Sequence, residues 1–158
     1  MRLALRFARR APRLRRARPK DAAACAAILR GWIDETPWFR TAHPPRADAR
    51  SVAGRIDAGA VTVAERGGAV AAFLALEGDY VACLYVAPDA RGAGLGRRLI
   101  ARAKRRRQRL CLWTFQANAA ARRFYEREGF VERRRTDGRD NDEGLPDVEY
   151  VWPAQEAA

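Results

Sequence analysis

The stretch Arg91-Gly92-Ala93-Gly94-Leu95-Gly96-Arg97-Arg98-Leu99-Ile100 limits what this chain can fold into more than any other part of it. Before it stands Val81-Ala82-Cys83-Leu84-Tyr85-Val86, a strand-forming run closed by Pro88 and Asp89. After it, Leu95, Leu99, Ile100 and Ala103 recur at helical spacing. The glycines therefore fall where a strand turns into a helix. Glycine permits positive φ and close approach of the backbone, and the first turn of a helix leaves N–H groups unpartnered beside about half a positive charge from the macrodipole. Such a turn is suited to an anion, with phosphate the natural choice.

The surrounding residues separate the kinds of phosphate turn. A P-loop closes on Gly-Lys-Ser/Thr, but Gly96 is followed by Arg97 and Arg98, with no hydroxyl for magnesium. A dinucleotide fingerprint requires Gly-x-Gly-x-x-Gly and an acidic residue about 20 positions on. Here the third glycine comes one place early, and the region from Arg102 to Arg109 is basic. Next along the chain come a second strand, Leu110 to Phe115, and then Asn118 and a helix running through Tyr125 to Gly129-Phe130. In this respect the chain resembles the GNAT acetyltransferase superfamily. That family carries Arg/Gln-x-x-Gly-x-Gly/Ala after its fourth strand, then a strand, an Asn, and a helix ending in Tyr-x-x-x-Gly-Phe. Arg91, Gly94 and Gly96 fill the first pattern, Asn118 the second, and Tyr125, Gly129 and Phe130 the third. The likeness is sharpest from Tyr80 to Phe130 and extends more loosely from about Leu14 to Trp152.

The resemblance implies an α/β fold with a mixed, splayed sheet of about six to seven strands and about four helices. It also implies acetyl-CoA as cosubstrate, no metal, and a small-molecule or peptide amine as acceptor. The cofactor-binding run would be Arg91, Gly92, Ala93, Gly94, Leu95, Gly96 and Arg97, with the backbone amides of Gly92, Gly94, Gly96 and Arg97 gripping the diphosphate. Arg91, Arg97 and Arg98 would either help to neutralise it or simply be solvated. A backbone N–H among Leu84, Tyr85 and Val86 would polarise the thioester carbonyl, and Asn118 would bond the pantetheine arm. Tyr125 would be the general acid for the leaving thiolate. Two of these residues have ordinary roles as well. Asn118 is a good N-cap, and Tyr125 shares a helical face with Ala121, Phe124 and Glu128 and so can also belong to the core.

An amine arrives as ammonium and must lose a proton, yet the central strand holds no Asp, Glu or His. The candidate bases are Asp34, Glu35 and His43, in a segment rich in proline and aromatic residues, and Glu149 on the last strand, with ordered water as the alternative. The polar loop from Asp137 to Asp147 holds five acids and one arginine, a charge suited to a cationic acceptor. It does not fit an EF-hand, which needs glycine at loop position six and an acid at twelve.

A formal net charge of +12 raises the question of nucleic acid, but the distribution argues against it. The first 20 residues hold nine Lys or Arg and no acid, leaving 22 basic against 19 acidic residues, a net +3, for the rest. We expect residues 1–12 to be a disordered basic extension, 13–153 a single domain and 154–158 a tail. No apolar run reaches the roughly 18 residues of a membrane span. Cys25, Cys83 and Cys111 are odd in number and sit among apolar residues, as expected of a reducing cytoplasm. A homodimer is compatible with the sequence. The competing readings are a non-catalytic acyl-CoA-binding module and a nucleic-acid-associated protein that uses the basic arm.

The remaining elements are set by periodicity. Leu14 to Ala17 reads as a strand. Cys25, Ile28, Leu29, Trp32 and Ile33 form one helical face, and Ala49, Val52, Ala53 and Ile56 form another, with Asp48 near its start. Val61 to Arg66, Gly67-Gly68 and Val70 to Leu76 give a hairpin. Val131 to Arg135 and Val148 to Trp152 complete the strands.

Overall fold

A computed structural model describes residues 11–153. Most of the basic extension and the whole tail lie outside the described residues. The elements run β1 (Arg13–Arg16), α1 (Ala22–Asp34), α2 (Pro45–Asp57), β2 (Val61–Arg66), β3 (Ala69–Glu77), β4 (Tyr80–Val86), α3 (Leu95–Lys104), β5 (Leu110–Phe115), α4 (Ala119–Arg127), β6 (Val131–Thr136) and β7 (Asp147–Trp152). The strands form one mixed sheet in the order β1-β2-β3-β4-β5-β7-β6.

The tight Gly67-Gly68 turn makes β2 and β3 antiparallel, and β4 continues the meander. The crossover through α3 makes β5 parallel to β4, as a strand–helix–strand connection requires. That parallel pairing consists of one position, Tyr80 opposite Cys111. Beyond it the two strands part, while β5 pairs with β7 along its whole length, from Leu110–Trp152 to Phe115–Asp147.

Helices cover both faces of the sheet. On one face α1 and α2 bury Cys25, Ile28, Val52 and Ile56 against Val61, Val63 and Phe73. On the other, Leu95, Leu99, Ile100 and Ala103 of α3 and Tyr125 of α4 pack over Leu74, Leu110, Leu112 and Tyr150. Most periodic positions of the sequence are thus buried or half-buried, with Ala49 of α2 exposed. Pro45 is the first residue of α2, because a proline there lacks only an N–H that would be unpaired anyway. Pro19 to Asp21 form a separate 3-10 turn, and α1 starts at Ala22.

Asp21 fastens β1 to the start of α1. Its buried carboxylate accepts from the Arg15 guanidinium at 2.7 and 2.9 Å and from the Arg18 backbone N–H at 2.7 Å, and Arg15 also donates to Glu65 on β2 at 2.6 Å. The Arg15 guanidinium holds the Asp21 carboxyl at about 2, against an ordinary 3.8. The group is depressed, so its contribution is fully present above about pH 4 and is lost as pH falls towards 2. It is worth about 2 kcal/mol. Urea denaturation of Asp21→Asn is expected to show a loss of about 2 kcal/mol at pH 7, and the gap to wild type should close between pH 4 and 2. A gap that does not change with pH would show that the carboxylate charge contributes nothing.

Candidate active site

The parting of β4 from β5 opens a cleft of about 650 Å³. Val81 to Val86 form one wall, Trp113 to Phe115 the other, and Asn118 to Ala121, Phe124 and Tyr125 close it from the α4 side. A second cavity of about 640 Å³ lies over the glycine turn, between Arg91–Arg97 and Phe124, Arg127 and Glu128. Val86, Arg91, Gly96 and Phe124 belong to the walls of both, so the two spaces adjoin.

The turn has the backbone that its glycines predict. Gly92 and Gly94 take φ of 75° and 78°, and Gly94 is the N-cap of α3. A Cβ at either would meet no atom within 4 Å. The space beside these two glycines is therefore open, and a side chain would enter it. Gly96 differs in that a Cβ there would lie 3.3 Å from the Phe124 ring, so its lack of a side chain lets α3 and α4 approach.

The expected site residues do not all stand in one place. Leu84, Tyr85, Val86, Arg91, Gly96, Asn118 and Tyr125 line the cleft. Gly92, Gly94, Leu95 and Arg97 line the cavity over the turn, and Ala93 is exposed and lines neither. The Leu95 side chain is buried in the core, which leaves its backbone N–H as what it can offer a ligand. Arg98 is exposed. Arg91 does not reach over the turn; its guanidinium is 3.0 Å from the Glu35 carboxylate and 3.4 Å from the Val86 carbonyl.

Asn118 caps α4, its Oδ1 accepting from the Ala121 N–H at 3.1 Å, and the same residue lines the cleft. Tyr125 is likewise both core and lining. Its ring contacts Phe124, Phe130 and Tyr150 at centroid distances of 5.2, 5.6 and 6.3 Å. Burial, assisted by Cys83, pushes the phenol above its ordinary pKa. Tyr125 thus remains a protonated donor throughout the neutral range.

Of the four candidate bases, only Glu35 lines the cleft. Asp34 pairs with Arg30 at 3.3 Å. His43 reaches across to Asp142 at 3.4 Å. Glu149 is buried under Arg134 at 2.7 Å and Arg133 at 3.8 Å. Sequence reasoning leaves the aromatic loop after α1 as either core packing or a ligand wall, and it misses the lining that regular elements supply. Trp32 reads only as part of the apolar face of α1, and Trp113 only as part of a strand. The cluster of aromatics among the prolines after α1 is the available signal.

A glycine turn opening a helix, beside a parallel strand pair that parts after one rung, is the arrangement that the resemblance to the GNAT acetyltransferases implies. Residues 57–132 match the family model for the acetyltransferase (GNAT) domain. Among solved structures it is similar to apo YjaB from Escherichia coli, at 24% identity and a TM-score of 0.75 over 90% of this chain and 98% of that one. It is also similar to a GCN5-related N-acetyltransferase from Rhodopseudomonas palustris, at 27% identity and 0.73 over 90% and 96%. A third is yncA from Salmonella typhimurium, solved with its cofactor acetyl-CoA, at 23% identity and 0.68 over 89% and 92%. A search of the curated proteins finds no match. Among the described residues no helix is long and apolar enough to cross a membrane, and no group of three or more His, Cys, Asp or Glu is placed to hold a metal ion.

Proposed function

We propose that this protein transfers the acetyl group of acetyl-CoA to a primary amine by direct attack, within the domain spanning residues 13–153. The observation that carries the reading is the adjacency of two spaces that share walls: an open glycine turn at the start of α3 and the apolar cleft where β4 leaves β5. A nucleotide diphosphate fits the first, where a Cβ at Gly92 or Gly94 would meet only open space. A slender acyl-carrying arm fits the second.

Acetyl-CoA supplies a thioester, and the chain's own groups do the rest. The edge of β4 beyond Tyr80 has no partner strand on the β5 side, so an N–H among Leu84, Tyr85 and Val86 is available to a carbonyl oxygen. The Asn118 amide stands at the mouth of α4 to orient the arm. Glu35 accepts a proton from the incoming ammonium. A carbon–nitrogen bond forms as the carbon–sulfur bond breaks. Of the two protons the ammonium gives up, one ends on the thiol and one in solvent, and the Tyr125 hydroxyl donates to the departing sulfur. Three free cysteines suit the reducing cytoplasm in which such a reaction would run.

The test is release of free thiol from acetyl-CoA over a library of primary amines, run beside calorimetric titration of acetyl-CoA. The expected result is saturable binding and amine-dependent thiol release. Binding without release from any amine would favour a non-catalytic acyl-CoA module, and no binding at all would remove the reading.

A further inference from the structure

Trp32, Trp38, Phe39, Tyr85 and Phe115 form a connected group of rings where the end of α1, the segment after it, β4 and β5 meet. Trp32 contacts Trp38, Phe39 and Tyr85 at centroid distances of 6.1, 5.0 and 5.5 Å, and Phe115 contacts Trp38 and Phe39 at 6.0 and 5.3 Å. An ordinary core cluster would be sealed. Here Trp38 is 36% exposed, the one large hydrophobic residue so exposed among the described residues. Trp32, Trp38, Tyr85 and Phe115 all line the cleft. Several of the contacts are edge-to-face, an arrangement that leaves ring faces and edges ready for another planar group.

Charge at this end of the cleft is as specific as shape. Among the described residues, Glu35 is the one carboxylate in its lining, and Arg91, the one guanidinium, is bound to it. The acidic loop between β6 and β7 approaches the same region, since Asp142 meets His43 of the segment after α1. An acceptor entering here passes carboxylates at the rim and meets rings inside.

We propose that the acceptor is a primary amine carried on an aromatic ring, the ring lying against Trp38 and Phe115 and the ammonium received by Glu35. This rests on the acetyl-transfer reading above and names its substrate class. Electrostatics fits the same choice, because a cation near the faces of Trp and Tyr is itself attracted to them. A polar amine would leave the ring surface dry and unused, and an alkyl chain would use its area without its geometry.

Thiol release is measured with four amines: 2-phenylethylamine, hexylamine, ethanolamine and a hydrophilic peptide with a free α-amine. We expect kcat/KM for 2-phenylethylamine to exceed each of the others by about tenfold or more. Trp38→Ala, at an exposed position, should lower that value about tenfold through KM, with a smaller drop for hexylamine and none in acetyl-CoA affinity. Glu35→Gln should lower turnover for every amine that reacts. Quenching of tryptophan fluorescence by 2-phenylethylamine in the presence of CoA provides a readout that needs no turnover. Equal or better use of ethanolamine, hexylamine or the peptide would overturn the inference while leaving acetyl transfer intact, as would an unchanged Trp38→Ala. Silence with all four amines and no quenching would also overturn it, and the acetyl-CoA titration then shows whether the broader reading falls with it.

Discussion

Replacing Gly94 with leucine is expected to weaken acetyl-CoA binding by more than about 100-fold while the protein remains folded. Two effects act at this position. The backbone sits at φ of 78°, where a side chain costs about 1–2 kcal/mol, and a Cβ would project into the open space that the diphosphate is proposed to fill. Strain of that size lowers the melting temperature of a chain this long by only a few degrees. Loss of binding should be far larger than the strain can explain. Gly94→Asn separates the two effects, because asparagine tolerates left-handed backbone yet still fills the space. It should melt close to wild type and still lose affinity in a calorimetric titration. An asparagine variant that binds normally would mean that the turn holds no ligand.

Tyr125→Phe is expected to reduce kcat about 100-fold, within the range general acids supply, with acetyl-CoA affinity nearly intact. The phenyl ring is retained, and with it the contacts to Phe124, Phe130 and Tyr150. A drop in turnover without a drop in melting temperature therefore isolates the hydroxyl. The pH dependence adds a second check. Burial favours the neutral phenol, so the proton is kept as pH rises, and the wild-type rate should show no alkaline decline from Tyr125 below about pH 10. Unchanged turnover in the phenylalanine variant would assign Tyr125 to the core alone and leave water as the acid.

Much of the fold is legible in the residues, because each element buries what its own periodicity presents. Leu95, Leu99, Ile100 and Ala103 mark α3 without reference to anything distant, and all four are buried. The glycine turn is legible for the same reason, since positive φ at Gly92 and Gly94 is a local demand. The expected sheet of six to seven strands and four helices is present with seven and four. What sequence does not supply is long-range placement. Nothing near Arg91 says that it meets Glu35, 56 positions away. Nothing near Glu149 says that Arg133 and Arg134 cover it. The carboxylate and imidazole candidates therefore have equal standing in the sequence, and only loop geometry leaves one of them in the cleft. The aromatic wall is hidden for a related reason: Trp32 and Phe115 read as core from their own elements, and only the meeting of those elements leaves their rings on a surface.

The single rung between β4 and β5 has an energetic consequence. A groove that had to be opened by pulling strands apart would lose backbone hydrogen bonds, and each loss would weaken the affinity of whatever entered. Here no such bonds exist to be broken beyond Tyr80, so an incoming molecule meets a gap made during folding, and the contacts it gains are not offset by rearrangement of the host. Folding itself bears that loss, in seven strands held together by six seams, one of them almost unstitched.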